Sequence, residues 1–189
     1  MLSSSLVRAT RVLLHDTSEG YSTDNSWWQP EEVNAALTTA RMETYRLLIM
    51  RPEPAYVTCA RLIKTATVTS GGAVPTDFYL AICGYKTDGT YVPYEKLSVG
   101  QAYRDATTMD QLFISGQVIY GTMNTLVYWA KPTIAITEAA TTLSDFPDGF
   151  YNAVKYDAAL ALLMKEDASA VDRWGFCQAE FKRKVLTLG

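Results

Sequence analysis

The sequence predicts an α+β protein: helices from the two ends form one bundle, with a β-rich lobe inserted between them. Three observations predict it. Helical spacing and helix punctuation dominate residues 1–54, where the N-terminal helices of the bundle are placed. Residues 55–145 change to β-branched, tyrosine-rich stretches broken by glycines, and form the lobe. Helical signals return over 146–189, the C-terminal helices that complete the bundle. With 189 residues the chain is long enough for one domain with a real core, or for two small lobes. Apolar residues at 48% and charged residues at 20% exclude disordered and collagen-like architectures.

The elements follow in order. "SSSLVRATRVLLHD" (3–16) has Leu6, Val7, Leu13 and Leu14 at near-helical spacing, and a serine of the 3–5 run is placed to cap it. "TSEGYSTDNS" (17–26) is a polar loop. The next stretch, 27–50, is the clearest helix. Pro30 suits a first turn, Glu31 and Glu32 complement the positive helix end, and Val33, Leu37, Ala40, Tyr45, Leu47 and Leu48 supply a core face. Pro52 and Pro54 stop it. "AYVTCARLIKTATVTS" is strand-like, and "FYLAICGY" with "YVPYEKL" forms a hairpin around Asp88-Gly89. "QLFISGQVIYGTM" and "TLVYWAKPTIAIT" add short strands, with a hairpin turn expected at Met123-Asn124. Pro147-Asp148-Gly149 is turn chemistry, and Asp148 is placed to cap the helix that follows. In the last segment Val171, Trp174, Cys177, Phe181 and Val185 recur at helical spacing.

Residues that could carry chemistry are sparse. The single histidine, His15, has no second histidine to share a metal and no GxSxG elbow beside it. There is no phosphate-binding GxxxxGK[ST] loop, and "SGGAVP" lacks both the lysine and the following helix. Asp105, Asp110, Asp145 and Asp148 lie in turn-like contexts that suit solvated side chains better than a glycosidase pair. Cys59, Cys83 and Cys177 are odd in number and far apart, which fits reduced, apolar core residues. A non-enzyme is therefore expected, with no catalytic, metal or cofactor-binding residue and no cofactor. No run of about 18 apolar residues occurs, so no membrane partner is expected. Net charge of −3 gives no general attraction to nucleic acid. Trp27 and Trp28 staple the incoming chain to the 30–50 helix, or else present an aromatic platform to a sugar or partner.

"FPDGFYNAVKYDAALALLMKED" (146–167) is the most informative stretch. From Phe150 to Met164 only Asn152, Lys155 and Asp157 are polar, so the apolar arc is wider than one core-facing stripe requires. Burying Phe150, Val154, Leu160 and Leu163 contributes roughly 1.5–3 kcal/mol each before entropy is set against it. The alanines of a second stripe admit a close neighbour. A second copy of the chain is the expected neighbour, with burial under the β-rich lobe as the alternative.

Four stretches, in this order, resemble the head–tail adaptor (connector or head-completion) proteins of tailed bacteriophages, especially short-tailed ones. They are "LVRATRVLLHDTS…WWQPEEVNAALTTARMETYRLL", "VPTDFYLAICGY", "LVYWAKPTIAITEAATTLSDFP" and "FPDGFYNAVKYDAALALLMKED". The resemblance implies a structural virion protein at the head–tail junction, assembled in the host cytoplasm. It implies a ring, commonly of about twelve copies, that sits beneath the portal, joins capsid to tail and extends the DNA channel. Its partners would be copies of itself, the portal protein, a tail or nozzle protein, and DNA that passes without sequence-specific binding. Ala158, Ala161, Tyr151 and Leu162 are the expected subunit interface. Phe181, Lys182, Arg183, Lys184, Leu186 and Leu188 are the expected portal or partner contact. The rival readings are a tail or nozzle component, or a carbohydrate-binding module on a helical base.

Overall fold

Backbone hydrogen-bonding demands and apolar burial produce a mixed α and β chain in the computed structural model, which describes residues 1–14, 16, 28–50, 62–95, 111–165, 175, 179–180 and 183. The chain divides into two compact units. The first comprises Met1–Cys59 with Pro132–Gly189, and the second comprises Ala60–Lys131.

In the first unit, α1 spans Ser3–Leu13, and α2 spans Pro30–Ile49. No serine caps α1. Its N-cap is Leu2, and the Ser3 hydroxyl donates to the Thr137 carbonyl at 2.5 Å while accepting the Thr137 N–H at 2.7 Å. An isolated antiparallel bridge between Leu2 and Thr142 brings that partner close and draws the hydroxyl away from its own helix. At the start of α2, Gln29 and Glu32 form a reciprocal capping box, in front of a proline that needs no N–H partner. Val33, Leu37, Ala40, Tyr45 and Leu48 are buried as the spacing predicts, whereas Leu47 is exposed. Asp148–Phe150 is a short 3-10 turn that leads into α3, Tyr151–Leu163. Asp148 does not cap it; its carboxylate instead meets the Met1 ammonium at 2.6 Å. α3 packs on both α2 and α1.

Residues 132–147 belong to this unit and not with the strands, as the 55–145 boundary would have it. Ser3 and the bridge at Leu2 tie this segment to α1. It buries Ile136, Leu143 and Phe146 as well.

In the second unit, β1 (Ile63–Thr67), β6 (Thr125–Ala130), β2 (Phe78–Tyr85) and β3 (Tyr91–Pro93) form a four-stranded antiparallel sheet in that order. β4 (Phe113–Ser115) and β5 (Val118–Tyr120) form a separate antiparallel pair. The hairpin at Asp88-Gly89 joins β2 to β3, with Asp88 Oδ1 accepting the Thr90 N–H at 2.9 Å. The hairpin expected at Met123-Asn124 does not form, because β6 pairs with β1 and β2 instead of β5. The turn is earlier, at Gly116-Gln117. Both residues have positive φ, +56° and +68°, as a two-residue turn between twisted strands requires. Val68, Ala81, Val92, Leu112, Ile119, Met123, Leu126, Tyr128 and Ala130 make the core of this unit. Asp77 borders it, accepting from Lys64 Nζ at 2.6 Å and from the Tyr128 hydroxyl at 2.9 Å. Burial works against ionisation of Asp77, yet those two donors hold its carboxyl below the ordinary range. Burial, aided by Asp77, pushes the Tyr128 hydroxyl up to about 12.

Candidate functional site

The expected interface residues fall into two groups. Tyr151, Ala158 and Leu162 are fully buried within their own chain, so they are not available to a neighbouring subunit. This corrects the reading of α3 as a helix with surplus apolar surface. Its second apolar side is covered by α1, whose Leu6 and Val7 are themselves buried. Ala161 alone of the four is exposed, and Met164 and Lys165 follow it at i+3 and i+4 on the same face. Elsewhere among the described residues of the first unit, the large apolar residues left in water are Met1 and Leu2 before α1, Val12 on α1, Leu47 on α2 and Met50 just after it, with Met50 80% exposed and Met164 65%.

Of the expected partner contacts, Arg183 is described. It is exposed and holds Glu180 through two parallel hydrogen bonds, Nε to Oε1 at 3.0 Å and Nη2 to Oε2 at 2.8 Å. Phe181, Lys182, Lys184, Leu186 and Leu188 lie outside the described residues, as do His15, Trp27, Asp105, Asp110, Cys59 and Cys177.

Trp28 is buried, as the stapling reading expects, and leaves no exposed platform at that residue. The staple is partly polar. Arg11, near the end of α1, directs Nη1 to Asp16 Oδ2 at 2.6 Å and to the Trp28 carbonyl at 3.0 Å, while Nη2 lies 3.4 Å from Glu138 Oε1. One buried guanidinium thus joins α1, the approach to α2 and the 132–147 segment. Nothing in the sequence distance between Arg11 and Glu138 announces that contact.

Asp157 on α3 was not singled out by its sequence context. Burial, and then the negative charge of Glu43 on α2, push its carboxyl from 3.8 up to about 6. A carboxyl raised in the folded state adds stability that is fully present below its unfolded value and is lost as pH rises through about 6. Asp157→Asn should therefore match the parent chain below about pH 4 and be the more stable above about pH 6. The gain should be roughly 1–2 kcal/mol, less than the full 1.4 kcal/mol per unit because part of the side chain remains in water. Thermal melts across that range check it, and a difference independent of pH would contradict the assignment.

The second unit carries an open groove of about 590 Å³, bordered by Ser70, Lys86, Asp88, Met123 and Asn124 among others. Among the described residues that line it there is no tyrosine or tryptophan, and stacking on aromatic faces is what sugar recognition would use. Among the described residues no group of three or more His, Cys, Asp or Glu side chains is placed to hold a metal ion, and no helix is long and apolar enough to cross a membrane. No protein-family model matches the chain, and no match is found among curated proteins.

Proposed function

We propose that the chain is a structural protein of a tailed phage virion: the head–tail adaptor, forming a ring beneath the portal and extending the DNA channel toward a tail or nozzle protein. The order of the four resembling stretches supports this reading. The observation that carries it is the path of the chain. α1 and α2 from one end and α3 from the other pack together, while the strands of Ala60–Lys131 form a unit of their own between them in sequence. In the proposed architecture the helices are the bundle and the strands are an inserted lobe, so one element can meet neighbours and portal while the other serves tail components.

The ring contact moves with the burial of α3. Neighbouring subunits would meet through surface the folded chain leaves bare, with Ala161 on α3 and Met164 at its end as the first candidates, and Leu47 on α2 and Met50 at its end beside them in character. Head-to-tail contacts of this kind close into a ring when the rotation between copies suits. A net charge of −3 fits a channel through which DNA slides without being held.

Ala161→Arg tests this surface. The variant should fold with the parent's melting temperature, since the residue is exposed, yet fail to load onto portal-bearing capsids as a ring. Sedimentation of capsids with bound subunit reads the result. Loading at the parent's stoichiometry would place the subunit contact elsewhere.

A further inference from the structure

Residues 132–147 carry the chain from β6 to α3, and their neck is closed by one carboxylate. Asp145 Oδ2 accepts the N–H groups of Thr133 and Ile134, each at 2.6 Å, which pins the loop's first turn to its last. Behind that neck stands Arg41 of α2, its side chain 3% exposed, with Nη1 3.5 Å from Asp145 Oδ1. The pair is close enough for attraction but too long for a good hydrogen bond. Arg41 Nε and Nη1, Asp145 Oδ1 and Thr44 Oγ1 make no hydrogen bond among the described residues.

Two charges have therefore been withdrawn from water without the full set of hydrogen bonds that offsets such a transfer. A buried pair of this kind is often close to neutral for stability, and opening would hydrate both charges. α2 and α3 also bury Leu37, Leu48, Ala158 and Leu162, apolar surface that does not depend on the pair's charges. Tyr151 sits at the same place, its hydroxyl 3.4 Å from the Leu143 carbonyl inside the loop and in hydrogen-bonding contact with the Arg41 side chain.

We propose that Arg41 and Asp145 form a releasable latch on the neck of loop 132–147. Closed, it orders the turn at Thr133-Ile134; open, it frees that turn while α2 and α3 stay packed. The loop also seats α1 through Ser3 and Thr137, so the latch places the order of that seat under the control of a residue on α2. This inference is independent of the ring reading.

Amide hydrogen exchange of the whole chain tests it. In Arg41→Met, exchange at Thr133 and Ile134 should quicken about tenfold or more relative to amides in the middles of α2 and α3, although Arg41 bonds neither of the two. Unchanged exchange at Thr133 and Ile134, or a rise shared equally with the helix amides, would overturn the latch. If Arg41→Met does not fold, Arg41→Lys retains the charge but loses the planar fork, and the same selective rise or its absence decides the matter.

Discussion

Ala158→Arg is expected to give no folded chain. Ala158 is fully buried on α3, the helix that packs against α1 and α2. Forcing even a few methylenes into a packed interior costs about 1–3 kcal/mol. A guanidinium there would also lack a partner, which costs several kcal/mol more. Together these approach the roughly 5–15 kcal/mol by which a whole domain is stable. Far-ultraviolet circular dichroism and a thermal melt would show loss of the cooperative transition. Ala161→Arg, three residues away on the exposed side, keeps the transition. A cooperative Ala158→Arg variant with the parent's melting temperature would show that α3 is not sandwiched as described.

Gly121→Ala should strike the second unit. Gly121 has φ +128°, where side chains are rarely accommodated, and an added Cβ would stand 2.2 Å from the Gln111 carbonyl oxygen and 2.9 Å from Met123 Cε. The methionine tip can move, but the backbone oxygen belongs to the residue just before the Leu112 bridge and cannot move freely. Backbone strain of order 1–3 kcal/mol and a similar overpacking cost put the loss at about 2–5 kcal/mol. Hydrogen exchange should report it at β4, β5 and β6, with the amides of α2 little changed. Parent-like protection in those strands would contradict the close approach.

Local signals were legible where the cause is local. Pro30, Glu31 and Glu32 placed the start of α2, and Asp88-Gly89 placed a real hairpin, because both act within a few residues of themselves. Gln29 as the cap is not legible in the sequence, since glutamine acts there only through its reciprocal bond with Glu32. The Gly116-Gln117 turn was equally quiet, because glutamine seldom adopts positive φ. What could not be read was partnership at long range. The apolar breadth of α3 was evident in the sequence, but that breadth is the same whether α1 or a second copy covers it. The covering helix lies more than a hundred positions away in sequence, and only the fold reveals that Tyr151, Ala158 and Leu162 are spent on the chain's own core. The contacts of Arg11 with Glu138 and of Arg41 with Asp145 are hidden for the same reason.

The proposed ring is tested most directly by cryo-electron microscopy of the virion proposed to contain this chain. Density for a closed ring of this subunit, seated between portal and tail with the Ala161 face of α3 against the adjoining copy, is the expected result. A virion junction built without this chain, or one in which its copies do not touch one another, would contradict the proposal.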